Sequence, residues 1–251
     1  MSDDALNSLV EMTRTLGQPH LNYVIIGEGN TSFRADAEHF WIKASGQGMY
    51  GIGTESFVQM NLAPILNLLE LSLSAESLQT AMQAARVNTE SAARPSVEVT
   101  FHAALLHGCD ARYIGHTHPL AVNAILCSSL AANFANNRLF PDEVVLCGPR
   151  SVLVPYADPG LPLALAIRSG ALEYMDEFGE APKVILLQNH GLIALGQTPT
   201  EVLNITAMCV KAAGIFAGAC AVGEPVFMSR ADIMHIYRRP DEIYRRKLFV
   251  G

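Results

Sequence analysis

Residues Arg94 to Leu126 read RPSVEVTFHAALLHGCDARYIGHTHPLAVNAIL and hold two histidines that are separated by one residue. The run YIG directly before them predicts a short buried strand, and the proline after them ends it. Because side chains alternate faces along a strand, His116 and His118 point the same way and can share one cation. Taken alone, the pair fits equally well two buried or surface histidines that bind nothing.

A third histidine follows at the tip of a predicted hairpin. Val184–Leu187 and Leu192–Leu195 are short apolar runs typical of strands, and His190 lies in the turn between them. Three neutral imidazoles with an open fourth position describe a catalytic rather than a structural metal site. We therefore expect one divalent ion per chain on His116, His118 and His190, with zinc ranked before manganese, cobalt or iron. The five cysteines are widely spaced, form no C-x-x-C pair and do not compete for this role.

A predicted helix begins at Pro95 and carries an acid close to the histidine strand. Ser96 is its expected N-cap, and Glu98 lies in the first turn, where free backbone N–H groups favour a carboxylate. His102 shares a face with Glu98 because residues i and i+4 are neighbours on a helix. Glu98 is either a common helix-start acid or a catalytic group. His102 either supports the site or, as we prefer, belongs to the core.

A loop of small residues follows another predicted strand. Tyr23–Ile26 is a β-branched run typical of a strand, and Gly27-Glu28-Gly29-Asn30 comes directly after it. The third glycine of a dinucleotide-binding fingerprint is missing, and Thr31–Arg34 predicts a strand rather than a helix, so we reject that function. The loop is either an ordinary tight turn or a place where backbone N–H groups and the Asn30 amide contact an anion.

The rest of the chain alternates short strands with helices, which predicts a layered α/β fold. The further predicted strands are Phe40–Lys43, Phe57–Met60, Val144–Cys147 and Val152–Val154. The further predicted helices are an N-terminal amphipathic one, Leu62–Leu71, Ala75–Ala85, one that starts at Pro162, and Thr200–Ala221.

Composition limits the class of protein. Half of the 251 residues are hydrophobic and 16% are charged, where about 25% is usual, so we expect some surface to be buried between subunits. The net charge of −7 argues against a nucleic-acid partner. No apolar run reaches the ~18 residues of a membrane span, and the N-terminus lacks a secretory signal, so we expect a cytoplasmic protein without a membrane partner.

Five short motifs occur in an order that resembles the class II aldolase/adducin family. They are GEGNTS at Gly27–Ser32, KASG at Lys43–Gly46, PSVE at Pro95–Glu98, HTH at His116–His118 and NHGL at Asn189–Leu192. The WIKASG form is most similar to the aldolase part of bifunctional rhamnulose-phosphate aldolase/dehydrogenases.

The resemblance implies a single domain over residues 1–251, with a C-terminal helical tail at about 229–251. The implied fold has three α/β/α layers around a central, mostly antiparallel sheet. In the aldolases a C-terminal tyrosine closes over the site. The implied site residues are Glu98, with Tyr237 or Tyr244, for catalysis, Asn30, Ser45, Gly46 and Ser96 for the substrate, and the three histidines for the metal. A cyclic homotetramer is also implied.

The implied activity is divalent-metal-dependent cleavage of a ketose or ketose phosphate by a retro-aldol reaction. The metal would act as a Lewis acid on the enediolate charge, and Glu98 would deliver or remove the proton on carbon. The same logic serves a decarboxylase, dehydratase or epimerase of a sugar acid or keto acid. A non-catalytic adducin-like interaction module comes last. Such a module is expected to have lost metal ligands, whereas all three histidines and Glu98 are present in this chain.

The chain departs from the family directly before the acid. The sugar-phosphate aldolases have Ser-Ser-Glu there, whereas this chain has Ser96-Val97-Glu98. Valine cannot donate a hydrogen bond, so one phosphate contact is expected to be missing. We therefore expect a small oxygenated anion at the two small-residue loops, with phosphate only slightly favoured over a carboxylate or a sugar hydroxyl.

Overall fold

Seven strands within the described residues form one open sheet. The structure is a computed structural model, and it describes residues 3–250. The strands are β1 Asn30–Arg34, β2 His39–Lys43, β3 Phe57–Asn61, β4 Tyr113–Thr117, β5 Val152–Val154, β6 Val184–Leu187 and β7 Gly191–Gly196. Their order is β3-β2-β1-β4-β7-β6-β5. Every neighbouring pair is antiparallel except β5 and β6, which are parallel.

Eleven α-helices of the same residues surround the sheet. They are α1 Asp3–Leu16, α2 Leu62–Leu68, α3 Ala75–Ala84, α4 Val99–Gly108, α5 Leu120–Leu126, α6 Ala131–Asn136, α7 Pro141–Cys147, α8 Leu161–Phe178, α9 Pro199–Val222, α10 Arg230–Arg238 and α11 Pro240–Val250.

The alternating side chains of the strands enter two apolar clusters, one on each face of the sheet. Ile114 of β4 and Ile185 of β6 pack in the cluster that contains α2, α4 and α8. Their chain neighbours Tyr113 and Leu186 pack in the cluster that contains α1, α5 and α9. Successive side chains of a strand point to opposite faces of the sheet, and helices cover both faces. The predicted α/β fold with a mostly antiparallel sheet is confirmed.

Two predicted strands are wrong. Tyr23–Ile26 is a loop, because Ile26 has a positive φ of 52° and its side chain is 92% exposed, so the run does not continue as a pleated strand. Val144–Cys147 belongs to α7, which begins at Pro141 with two acids in its first turn. Proline at the first helical position and nearby carboxylates favour a helix start, and they outweigh the strand preference of the two valines.

Helix α9 is long and apolar enough to cross a membrane by length and composition alone. Lys211 interrupts its apolar sequence, which is why no uninterrupted run suggested a span. In this structure α9 packs against α1, α5, α7, β4 and β7. A core helix passes the same test, so the length and composition of α9 are weak evidence for a membrane.

Candidate active site

The predicted histidines lie at one end of three neighbouring strands. His116 is in β4 at the middle of the sheet, opposite Asn30 of β1 on one side and β7 on the other. β4 ends one residue before His118. His190 lies in the tight turn that joins β6 to β7, where Asn189 has a φ of 56°. Asparagine tolerates this left-handed conformation better than most residues, so the local sequence suits the turn.

The structure brings the three rings together. Nε2 of His116 lies 3.1 Å from Nε2 of His118. The centroids of the three ring pairs are 4.8, 5.0 and 5.0 Å apart. One ligand nitrogen from each histidine lies within 4.8 Å of the other two. The three side chains are therefore placed to hold a single ion.

Burial keeps the imidazoles neutral, which is the form that binds a metal. It lowers the pKa of His116 to about 3 and that of His118 to about 4, and it also lowers the pKa of His190. Nδ1 of His116 lies 3.1 Å from the carbonyl oxygen of Leu192, which can only accept a hydrogen bond. Nδ1 therefore carries the proton, and Nε2 keeps its lone pair toward the other rings. This donor set fits a divalent cation.

Glu98 lies within reach of the same ion. Its Oε1 is 3.3 Å from Nε2 of His190, and its Oε2 is 3.5 Å from Nε2 of His116. Glu98 occupies the N-cap position of α4, which the sequence assigned to Ser96. The hydroxyl oxygen of Ser96 instead accepts the backbone N–H of Glu98 at 3.2 Å and closes the turn before the helix. The carboxylate can act on a substrate beside the histidines, and it can also supply a fourth metal ligand.

The two small-residue loops lie side by side next to β4. A Cβ atom added to Gly27 would lie 3.5 Å from the carbonyl carbon of Gly46. Gly29 has a φ of +64°, and a Cβ atom there would lie 2.5 Å from the carbonyl oxygen of His116. Only glycine permits this approach of the loop to the strand. Gly46 and its neighbour Ser45 are exposed.

Lys43 of the KASG motif is buried and was not assigned a role from the sequence. Its Nζ donates to the carbonyl oxygen of Gln47, which ties down the loop after β2. Burial lowers the pKa of Lys43 to about 8, and the nearby carboxylate of Glu98 opposes that shift. Lys43 therefore brings a titratable cation close to Glu98.

The two candidate tyrosines lie on the C-terminal helices α10 and α11, both of which pack against α7. Tyr237 of α10 is 7% exposed, and the guanidinium of Arg246 lies 4.2 Å from its ring centroid. Burial and a hydrogen bond to Glu180 raise the pKa of Tyr237. Tyr244 of α11 is 64% exposed. Within residues 3–250 neither hydroxyl is hydrogen-bonded to the three histidines, and a catalytic role for either stays a prediction.

Two further residues lie beside the histidines, and one of them is hydrogen-bonded there. Nδ2 of Asn123 on α5 donates to the backbone carbonyl oxygen of His190 at 2.9 Å. Oε1 of Glu28 lies 3.8 Å from Nδ1 of His118. The GEGN motif could have drawn attention to Glu28. Asn123 had no such signal, because its contact joins elements that are distant in sequence.

The sequence profile of the class II aldolase and adducin N-terminal domain matches residues 7–217. The chain belongs to the class II aldolase and adducin family. The matched region contains all five motifs and the whole histidine cluster, so the family expected from the motifs is confirmed. Members of this superfamily are generally lyases.

Solved structures of the family share the fold of this chain. An L-fuculose 1-phosphate aldolase superimposes with a TM-score of 0.72 at 20% identity, over 94% of this chain and 96% of that one. YgbL from Klebsiella pneumoniae, described as a candidate aldolase/epimerase/decarboxylase, gives a TM-score of 0.71 at 20% identity, over 93% and 97%. At these identities the similarity establishes the fold alone.

A curated sequence relative is much longer than this chain. The two are 25% identical over 196 residues, and the relative is an uncharacterised oxidoreductase, YuxG, of Bacillus subtilis (strain 168). The match covers 74% of this chain and 26% of the relative, so the chain spans about a quarter of that protein. The name of the longer protein therefore says little about the chemistry of this segment.

Proposed function

We propose that this chain is a divalent-metal-dependent lyase that cleaves a ketose or ketose phosphate by a retro-aldol reaction. The observation that carries the proposal is the placement of Glu98. Its two carboxylate oxygens lie 3.3 and 3.5 Å from ligand nitrogens of two histidines. A proton carrier and a cation would therefore meet the same few atoms of a substrate.

The reaction requires negative charge to be stabilised and a proton to be delivered. When the carbon–carbon bond breaks, its electron pair stays with the fragment that bears the carbonyl group. A divalent cation on the three histidines would supply Lewis-acid stabilisation of the charge on that fragment's oxygen atoms. Glu98 would protonate the carbon that lost its partner, and would remove that proton in the reverse direction. The substrate hydroxyl on the other side of that bond loses its proton as its carbon becomes the aldehyde. Tyr237 and Tyr244 remain our candidates for the group that accepts this proton.

We propose that the two small-residue loops hold the substrate's anionic end. Asn30 donates to Oε2 of Glu98 at 2.7 Å and to Oγ of Ser96 at 3.2 Å, so both amide hydrogens are engaged. The hydroxyl hydrogens of Ser45 and Ser96 have no acceptor among residues 3–250. These two hydroxyls, with backbone N–H groups at Gly46 and Gly27, are the donors that we assign to the anion.

A decarboxylase, dehydratase or epimerase of a sugar acid or keto acid is the second candidate. The engagement of Asn30 favours it, because a desolvated dianionic phosphate needs more donors than a carboxylate. A non-catalytic adducin-like module ranks third, since four groups suited to chemistry lie together, two of them buried and two partly buried.

Turnover by the zinc-loaded and manganese-loaded protein tests the proposal. We would supply L-fuculose 1-phosphate, rhamnulose phosphate and the matching unphosphorylated ketoses, and measure aldehyde release. Glu98→Gln should keep its metal and fold but lose about 10²–10⁴-fold in turnover. Glu76→Gln, an exposed acid in the first turn of α3, is the matched control and should behave like the unmodified protein.

Two results would redirect the assignment. Near-normal turnover by Glu98→Gln would mean that another group transfers the proton. Release of carbon dioxide from a keto acid, with no aldehyde from any ketose, would select the second candidate.

A further inference from the structure

Four buried polar side chains form a continuous chain of hydrogen bonds that ends on Glu98. Oγ of Ser32 lies 2.7 Å from Nδ1 of His102, and Nε2 of His102 is hydrogen-bonded to Oδ1 of Asn30. Nδ2 of Asn30 then donates to Oε2 of Glu98 at 2.7 Å. All four residues are at most 6% exposed, so water does not compete for these bonds.

The carboxylate at the end fixes the direction of every bond in this chain. A carboxylate can only accept, so the amide nitrogen of Asn30 faces Glu98 and the amide oxygen faces His102. That oxygen also only accepts, so Nε2 of His102 carries a proton. Burial lowers the pKa of His102 well below its usual value, so the ring is neutral. Nδ1 is then bare and accepts the hydroxyl hydrogen of Ser32.

We infer that His102 is a positioning residue for Glu98 and that it acts through Asn30. The donor at Nε2 prevents the Asn30 amide from turning its oxygen toward the carboxylate. The amide then holds Oε2, and Oε1, which faces His190, is the oxygen left to carry a proton to or from a substrate. The kinetic consequence of this arrangement rests on the proposed proton transfer by Glu98.

A purely structural role for His102 would require only that the side chain fills the same space. His102 stacks on Phe101 with ring centroids 4.5 Å apart, and any planar side chain of similar size would retain part of that packing. Positioning, in contrast, requires a hydrogen-bond donor at the place of Nε2. Substitutions that keep or remove this donor therefore separate the two roles.

Two amide substitutions provide the comparison. The side-chain nitrogen of His102→Gln reaches the place of Nε2, whereas that of His102→Asn reaches only the place of Nδ1. We expect kcat to fall roughly 10- to 100-fold in His102→Asn with KM changed less than about threefold, and to recover largely in His102→Gln. His107→Asn, an exposed histidine on the same helix, is the control and should not change turnover. Thermal unfolding of each variant reports the structural effect separately.

A double-mutant cycle tests whether the effect passes through the acid. In the Glu98→Gln background, His102→Asn should cause no further loss of turnover, because the group that it positions is already gone. Equal losses in the two His102 variants, or a full additional loss in the Glu98→Gln background, would overturn the inference.

A spectroscopic measurement does not depend on turnover. With ¹⁵N-labelled histidine, His102 should give the signals of a neutral ring protonated at Nε2. With ¹³C-labelled glutamate, the carboxyl resonance that disappears in Glu98→Gln should shift in His102→Asn and return in His102→Gln. A ring protonated at Nδ1, or an unmoved resonance, overturns the inference even in an active enzyme. Both expected spectra without any turnover would instead reject the proposed function and support the hydrogen-bond chain.

Discussion

Gly191→Ala should weaken metal binding although no proposed ligand residue is substituted. Gly191 is the first residue of β7, directly after His190, and lies against the end of β4. A Cβ atom there would lie 2.6 Å from the carbonyl oxygen of Thr117, 2.7 Å from Cδ2 of His118 and 3.2 Å from Cε1 of His116. The added methyl group would therefore press on the rings of His116 and His118.

The required displacement can be worked from these distances. Ordinary van der Waals contact begins at 3.4 Å, so Thr117 must move by about 0.8 Å (3.4 minus 2.6) and His118 by about 0.7 Å (3.4 minus 2.7). Metal–ligand distances tolerate changes of only about 0.2 Å. We expect overpacking to destabilise the fold by about 1–3 kcal/mol and metal affinity to fall roughly 10- to 100-fold.

Titration with zinc against a competing chelator measures the affinity, and thermal unfolding of the metal-free protein measures stability. Gly214→Ala on α9 is the control, because a Cβ atom there meets nothing within 4 Å. It should leave zinc affinity unchanged and add roughly 0.5–1 kcal/mol of stability. An unchanged zinc affinity in Gly191→Ala would refute the placement of the site between His116, His118 and the β6–β7 turn.

Three further outcomes are expected. The double variant His116→Ala, His118→Ala should lose its divalent ion, and full metal content by elemental analysis would reject the site. Val97→Ser should tighten phosphorylated ketoses relative to unphosphorylated ones in matched kinetics, and a strong phosphate preference that the change leaves unaltered would show that other donors suffice. The protein should be a homotetramer, because few residues are charged and Ile26 and Val222 are 92% and 90% exposed; a monomer by light scattering at micromolar concentration would contradict this.

Periodicity predicted several elements correctly. The run Val184–Leu187 is buried on both faces and forms β6, and the long apolar run from Thr200 forms α9. His116 and His118 were placed on one face by strand alternation, and their rings do meet. In each case the local pattern and the tertiary environment favour the same structure.

Tertiary context decided the elements that periodicity missed. Tyr23–Ile26 has strand composition, yet its tyrosine carbonyl accepts the N–H of His118 at 2.8 Å and its two isoleucines are exposed. This loop is held by the end of β4 and not by a strand partner. In α7 the helix-start signal of Pro141 and the two acids after it outweighs the strand preference of the valines that follow.

Asn30 connects the loop that we assign to the substrate's anionic end to Glu98, in a way that spacing cannot reveal. A substrate anion that took the Asn30 amide would have to remove it from Glu98, at a cost of about 1.5–3 kcal/mol for a hydrogen bond to a charged group. An anion that uses the hydroxyls of Ser45 and Ser96 avoids this cost and leaves Glu98 in position. With valine at position 97, no second hydroxyl precedes Glu98 to compensate for the loss of Asn30. The arrangement therefore favours substrates whose anionic end is satisfied by few side-chain donors. The Asn30 amide can either strengthen anion binding or keep Glu98 aligned, but it cannot do both.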